Sequence, residues 1–520
     1  MLRLRSFACG RWIEGEGSPQ TLVNPATEAP LAQASSEGID IPAALEYARE
    51  RGGPALRAMS FAERGALLKA MGQALHACRD ELLDIAVSNG GNIRSDAKFD
   101  VDGAILTLHH YAEIGARLGA ARFLIDGEGV QLGRSPRFHG QHLMVPRTGV
   151  AVHVNAFNFP AWGLAEKAAA ALLAGMPVLA KPATSSAMVA HRAVEIMLEK
   201  NLLPQGALSL LAGSPRDLAA SLRSQDVLAF TGSGDTAAKL RSLPNIIGES
   251  IRVNIEADSL NAAVLGPDIE PGSDMYEIFL DDVFRDMTQK AGQKCTAIRR
   301  VLAPQALVPA VLEDLAGRLG TVKIGDPARA GVQMGPLANA AQLADVREGV
   351  QRLAAEGRLA SGSAAPLSPE GIEPGRGFFM APVLLEFAAG AGARALHARE
   401  VFGPVAAVLP YSGEAAEAAA IVARGGGGLV ASVYAEDSAW IGEIVFGLAP
   451  FHGRIFLGHP KIEFSPGPGT VMPQLVHGGP GRAGGGEELG GERGLAFYMQ
   501  RVALEGSRPV IEKLVGRQPA

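Results

Sequence analysis

The chain has 520 residues, 47% hydrophobic and 20% charged, and a formal net charge of −6 from 48 basic and 54 acidic side chains. That length exceeds what one core supports, so two or three domains are expected, and the acidic balance argues against nucleic acid as the main partner. The longest apolar run, Ala168 to Leu179, is too short to span a bilayer. The N-terminus carries basic residues with only a brief apolar run, which is no signal peptide. Three cysteines, Cys9, Cys78 and Cys295, give no disulfide framework, and their odd count fits a reducing cytoplasm.

In chain order, Cys9 to Gly17 and then Val23 to Glu28 read as a hairpin and a turn. Three helices are expected next. The first covers Ile41 to Arg51. The second runs from Phe61 to about Ser88, after Ser60 as N-cap and before the stop at Gly90-Gly91. The third runs from about Ser95 to Gly119. Their histidines, His76, His109 and His110, lack metal-ligand spacing, so no metal site is expected. The stretch Phe123 to Val145 alternates and carries polar residues, as a hairpin standing off the globule would.

From Val150 the pattern becomes strand and helix in turn. Strands are expected at Ala151–Asn155, Pro177–Ala180, Ala207–Leu211 and Val227–Thr231. Helices are expected at Ala165–Gly175, Ser186–Asn201, Arg216–Ser224 and Thr236–Ser242. Repeated βα units with short apolar strands imply a parallel, doubly wound sheet of the nucleotide-binding class. A second α/β region extends from Ser259 to about Pro460. Its helix, Asp274 to Thr288, has apolar residues at three- and four-residue spacing and leads to Lys290-Ala-Gly-Gln-Lys-Cys295. Glycine-rich runs fall late, at Arg424 to Gly428 and Ala483 to Gly486, and the last twenty or so residues carry no strong signal.

Five stretches carry chemistry. Cys295 follows a glycine turn with Lys294, Arg299 and Arg300 near in sequence, and nearby positive charge lowers a thiol pKa toward the nucleophilic thiolate. Asn158, in Phe157-Asn-Phe-Pro-Ala-Trp162, lies between a strand and a helix, where its amide either caps the helix or donates to an oxyanion. Lys181, in Ala180-Lys-Pro-Ala-Thr-Ser-Ser186, sits at a strand's carboxyl end, where α/β sheets bind ligands. The turn Phe230-Thr-Gly-Ser-Gly-Asp-Thr-Ala237 opens a helix and offers backbone amides to a phosphate, although Ala237 breaks a full GxGxxG. Glu256, in Val253-Asn-Ile-Glu-Ala-Asp258, is either a paired structural charge or a general base. Glu400-Val-Phe-Gly-Pro404 adds an acid and an aromatic on a loop.

In this order the motifs resemble the aldehyde dehydrogenase superfamily, from Gly10-Arg-Trp to Gln500-Arg501. The resemblance implies an α/β fold with a Rossmann-type, doubly wound cofactor domain (1–122 and 146–258) and an α/β catalytic domain (259–460). An oligomerisation arm and C-terminal tail (123–145 and 461–520) would complete it. It implies Cys295 as nucleophile, Glu256 as general base and Asn158 as oxyanion donor. Lys181 is expected on the adenosine ribose, Gly232 and Ser233 at the pyrophosphate, and Glu400 and Phe402 at the nicotinamide ribose. NAD-preferring relatives commonly carry a glutamate three residues past that lysine. Thr184 stands there, followed by Ser185, so NADP is expected over NAD. The tail from His477-Gly-Gly-Pro-Gly-Arg to Gly491, then Phe497-Tyr-Met-Gln-Arg-Val502, resembles the branch that oxidises CoA-linked semialdehydes in aerobic aromatic degradation. The expected partner is thus a CoA-linked small-molecule aldehyde, with neither nucleic acid nor membrane, in a cytoplasmic homodimer. The stretch 451–468, where the superfamily shapes its substrate entrance, resembles nothing informative. A CoA-acylating dehydrogenase and a non-catalytic relative of the fold stand as alternatives.

Overall fold

The structure is a computed structural model that describes residues 1–462 and 464–516. The expected tail, 461–520, therefore includes residue 463 and residues 517–520, which lie outside the described residues. Among the described residues, the strands form two seven-stranded sheets and three small ones.

The first large sheet runs in the order Arg252–Glu256, Val227–Thr231, Ala151–Val154, Val178–Lys181, Leu208–Leu210, Ser6–Ala8, Arg11–Ile13. Its first five strands are mutually parallel, and the N-terminal hairpin closes the edge antiparallel. Such short, fully buried apolar strands suit a sheet covered on both faces. In register, Thr231 lies opposite Glu256 and Val154 opposite Lys181, so the carboxyl ends of these strands form one rim. The second sheet runs Arg358–Ser361, Val383–Glu386, Val405–Tyr411, Ile298–Pro304, Asn261–Leu265, Gly428–Tyr434, His452–Leu457. All its neighbours are parallel except the first pair. This is the α/β architecture the sequence pattern implies.

The helices mostly follow the pattern, with two corrections. The expected helix from Phe61 to Ser88 is two helices, Phe61–Ala77 and Arg79–Gly90, hinged at Cys78. Apolar spacing continues across the hinge, so periodicity alone does not reveal it. Ser60 does cap the first helix, in a capping box with Glu63. The expected helix from Arg216 to Ser224 is a single turn at Ala219–Ser221. Leu218 and Leu222 are both buried and four apart, which imitates a helical face.

Leu124–Gln131 and Phe138–Pro146 form the expected hairpin, and Met499–Ser507 adds a third strand to it. The C-terminal stretch is thus not featureless: this strand leads into a helix at Arg508–Val515.

Candidate active site

The sulfur of Cys295 is placed by a strained loop. The helix Asp274–Thr288 is capped by Ser273 and ends two residues before Lys290. Lys290, Ala291 and Gly292 then take left-handed backbone conformations, with φ of 54°, 52° and 67°. Two of the three carry a side chain, at a cost of about 1–2 kcal/mol each, so the surroundings must hold them. Buried Asp96 accepts the Lys290 backbone N–H at 2.8 Å, and the Lys290 ammonium donates to Asn92 at 2.9 Å. At Gly292 a Cβ would lie 2.3 Å from the Gly403 carbonyl oxygen, so this close approach admits only glycine. Downstream, the Asn261 amide donates to the carbonyls of Cys295 (2.8 Å) and Ala297 (2.9 Å).

The cations near Cys295 in sequence do not serve the sulfur. Buried Lys294 pairs with Asp286 at 2.5 Å, Arg299 with Glu400 at 3.1 Å, and Arg300 donates to the carbonyls of Val422 and Leu260. Burial and then the Glu256 carboxylate push the Cys295 thiol well up from its ordinary value, the reverse of what those cations suggested. The side chain that does approach the sulfur is His477, with Nε2 at 3.8 Å from Sγ.

Glu256 ends the edge strand Arg252–Glu256, and its Oε2 lies 3.0 Å from the same His477 Nε2. Donor atoms of Cys295, Glu256 and His477 lie within 4.8 Å of one another. Burial raises the Glu256 carboxyl, but His477 and Lys167 outweigh it and hold it below the usual range. Burial lowers the His477 imidazole, and Glu256 outweighs that to raise it. Glu256 and His477 thus form a buried pair in which each favours the charged form of the other, with Nε2 facing the carboxylate. Glu256 Oε1 has no hydrogen-bond partner among the described residues. Behind the pair, the Lys167 ammonium sits between Glu166 (2.8 Å) and Glu488 (2.9 Å).

Asn158 lies between the strand Ala151–Val154 and the helix Pro160–Ala174, whose first N–H groups, those of Ala161 and Trp162, donate to buried Asp100. Asp100 takes the capping role, which leaves the Asn158 amide to donate to the Gln293 carbonyl at 3.1 Å, two residues from Cys295. An amide offers two N–H donors, so one remains for an oxyanion.

His477 and Glu488 went unassigned in the sequence reading, and both arrive on the glycine-rich tail. The strands Val476–Gly478 and Glu487–Leu489 pair so that His477 faces Glu488. Two backbone hydrogen bonds and one to a side chain tie this tail to the strand of Glu256 and the residue after it. Ala257 N–H donates to Ala483 (3.1 Å), Gly486 N–H to Ile255 (3.1 Å), and Glu487 N–H to the Asn254 side chain (2.8 Å). A signal was present: consecutive acids inside a glycine run mark chain that packs tightly while carrying charge.

The chain just beyond the stretch 451–468 reaches the same pocket. Arg454 donates to the carbonyls of Pro468 (2.8 Å) and Thr470 (2.6 Å), Thr296 donates to Gly469 (2.7 Å), and Gly469 and Val471 line the cavity with Phe159 and Trp162.

A second cleft opens from Cys295 along the rim of the first sheet. Lys181, Gly232, Ser233, Glu400 and Phe402 line it. Burial lowers the Lys181 ammonium to about 8, and among the described residues it has no ion pair. Ser233 caps the helix Gly234–Arg241, although Asp258 already accepts the Gly234 N–H at 3.0 Å. Burial pushes Glu400 up to about 7 against the opposing Arg299. Thr184 donates its hydroxyl to the Gly213 carbonyl (3.1 Å), and Ser186 donates to Phe157 (2.7 Å). Ser185 is half-buried beside them, with its carbonyl accepting from Asn89. An unpaired buried cation and a helix-opening turn, on one cleft that reaches the nucleophile, fit a pyridine dinucleotide.

A cysteine and a buried carboxylate, with donor atoms within 4.8 Å of each other, thus face a cleft at the mouth of a doubly wound sheet. The aldehyde dehydrogenase family model matches residues 12–503, and the chain belongs to that family. It is 46% identical to the 3,4-dehydroadipyl-CoA semialdehyde dehydrogenase of Aromatoleum evansii, over 92% of this chain and 93% of that one. It is also 29% identical to the betaine aldehyde dehydrogenase of Cereibacter sphaeroides strain KD131, over 83% and 84%. Among solved structures, lactaldehyde dehydrogenase from Escherichia coli superposes with a TM-score of 0.84, at 23% identity over 97% and 99% of the two chains. A Staphylococcus aureus betaine aldehyde dehydrogenase variant in complex with NAD+ superposes with 0.85, at 20% identity over 98% of each.

Proposed function

We propose that this protein oxidises a CoA-linked semialdehyde to the carboxylic acid with NADP, through a thioester on Cys295. The observation that carries the hydrolytic reading is Glu256, a buried ionised carboxylate beside the sulfur with one oxygen unpartnered. Cys295 gives its thiol proton to Glu256, which passes it on to solvent, and the thiolate adds to the aldehyde carbon, where Asn158 Nδ2–H with the Cys295 backbone N–H steadies the oxyanion. Bound NADP supplies the hydride acceptor. Lys181 would hold the adenosine ribose end, with Thr184 and Ser185 beside it, Gly232 and Ser233 the pyrophosphate, and Glu400 with Phe402 the nicotinamide ribose. Glu256 then takes a proton from water, which attacks the thioester and releases the acid. A positioned base of this kind contributes roughly 10²–10⁴-fold.

The substrate reading leans on the relative named 3,4-dehydroadipyl-CoA semialdehyde dehydrogenase. The NADP preference leans on Thr184, where a carboxylate would repel a 2′-phosphate. Comparable kcat/KM for the two cofactors would overturn it. Exposed Ile125, Val130, Leu132 and Phe138 on the three-stranded arm support a homodimer, to be checked by light scattering. Among the described residues no helix is long and apolar enough to cross a membrane. The deciding experiment follows the aldehyde carbon: wild-type enzyme with NADP and free CoA should yield a carboxylic acid. Acyl-CoA in its place would establish the CoA-acylating alternative.

A further inference from the structure

Glu256 is the base of the hydrolytic reading, yet its strand alone does not aim it. The strand ends at Glu256, the chain turns away through Ala257 and Asp258, and the carboxylate lies at the sheet edge. One of its oxygens is held, by His477 Nε2 at 3.0 Å, and the other, Oε1, is buried without a partner. The same nitrogen stands 3.8 Å from Cys295 Sγ. His477 is itself buried at 3% exposure, on a ribbon fixed by backbone hydrogen bonds to the strand it serves. A single imidazole nitrogen therefore faces both the base and the leaving atom of the second half-reaction.

We infer that His477 acts in deacylation, as the residue that positions Glu256 and receives the departing sulfur. This rests on the hydrolytic reading above. In the step, a water oxygen bonds to the thioester carbonyl carbon and its proton passes to Glu256 Oε1, the free oxygen. As the adduct collapses, the C–S bond breaks and its electron pair goes to Sγ. The charge on that sulfur develops beside the Nε2–H that already anchors Oε2. Donors preorganised toward developing charge in a water-poor site contribute most when they need not move, and this one is fixed before substrate arrives. The first half-reaction needs His477 less, because carbon–sulfur bond formation removes charge from sulfur and places it on the oxyanion served by Asn158.

The test separates the two halves. His477→Phe keeps a planar ring and removes the donor, His477→Gln keeps a neutral N–H, and His477→Asn shortens the reach. With a free aliphatic aldehyde and NADP, His477→Phe should show a rapid burst of about one NADPH per site, at a rate within about threefold of wild type. Its steady-state rate should then fall at least about thirtyfold, towards the 10²–10³ that loss of one preorganised donor costs. Hydroxylamine attacks thioesters without a general base, so it should restore turnover towards the burst rate. His477→Gln should lie between wild type and Phe.

A steady-state rate within threefold of wild type in His477→Phe overturns the inference. So does parallel loss of burst and turnover with no response to hydroxylamine. Loss of NADPH binding in all three variants would mark His477 as a folding residue and overturn it as well. Acyl-CoA formation by the wild-type enzyme would instead defeat the hydrolytic reading itself. Acid formation by wild type with normal deacylation in His477→Phe defeats only this inference.

Discussion

Gly486→Ala should disable the active site from a position that touches neither substrate nor cofactor. Gly486 lies on the ribbon that carries His477, and its N–H donates to Ile255, the residue before Glu256, at 3.1 Å. A Cβ there would sit 2.4 Å from the Ile255 carbonyl oxygen and 2.6 Å from Asn254 Oδ1. Ordinary non-bonded separation begins near 3.5 Å, so the ribbon must retreat by about 1 Å. His477, in the strand paired to Glu487–Leu489, would move with it, and the 3.0 Å contact to Glu256 would open beyond hydrogen-bond range. A hydrogen bond to a charged group is worth about 1.5–3 kcal/mol, which corresponds to roughly a 10–100-fold fall in turnover. The assay is steady-state NADPH formation beside NADPH binding, which should hold within threefold because Lys181 ends a strand three places along the sheet from that of Glu256. Gly442→Ala is the control: it lies in the helix Ser438–Leu448 with nothing within 4 Å of its Cβ. It should leave turnover unchanged and add up to about 1 kcal/mol of helix stability. Turnover within twofold of wild type in Gly486→Ala would refute the reasoning.

Three further outcomes follow from the site. Cys295→Ala should abolish NADPH formation and leave NADPH binding intact, since Cys9 and Cys78 lie away from the pocket lining; a variant with a tenth of wild-type turnover refutes the nucleophile. Glu256→Gln should lower steady-state turnover at least about a hundredfold, measured as acid released, and a fall of less than tenfold removes it as the base. Lys181 has its ammonium lowered to about 8 by burial, and a bound phosphate favours the charged form. NADPH affinity, read by fluorescence titration, should therefore weaken as pH rises from 7 to 9, and a flat profile contradicts a contact with Lys181.

The residues legible in the sequence share a property: each sits at the carboxyl end of a strand or on a loop leaving a helix. Lys181, Thr231 and Glu256 end parallel strands, and the βα alternation announces that rim before any coordinates do. Cys295 was legible as a site, but its electrostatics were not. Lys294, Arg299 and Arg300 are adjacent in sequence and each turns to a different buried partner, so nearness along the chain said nothing about nearness to sulfur. His477 was hidden for the complementary reason. Its contacts are long-range, made by a ribbon whose place depends on glycines meeting backbone at Ile255, and no periodicity encodes that docking. The hydroxyls that follow Lys181 show a milder version, since Thr184 and Ser186 were legible as a polar helix start but not as donors to Gly213 and Phe157.

On the hydrolytic reading, the charges gathered around Glu256 explain why a base at this position needs the tail. Glu166, Glu256 and Glu488 offer carboxylate oxygens within 4.8 Å of one another, with Lys167 between two of them. Like charges this close cannot all remain ionised in a low-dielectric pocket. One of them must take a proton near neutrality, and the chemistry demands that it not be Glu256. Burial, with Glu166 and Glu256 acting against Lys167, pushes Glu488 up to about 7, while His477 helps hold Glu256 below the ordinary range. As pH falls through 7 the proton therefore goes to Glu488 first, and Glu256 stays available for water. The tail brings both the carboxyl that gives way and the imidazole that keeps the base charged. A pocket with Glu166, Lys167 and Glu256 but no tail would hold Glu256 near the sulfur without His477 to bias it toward the ionised form.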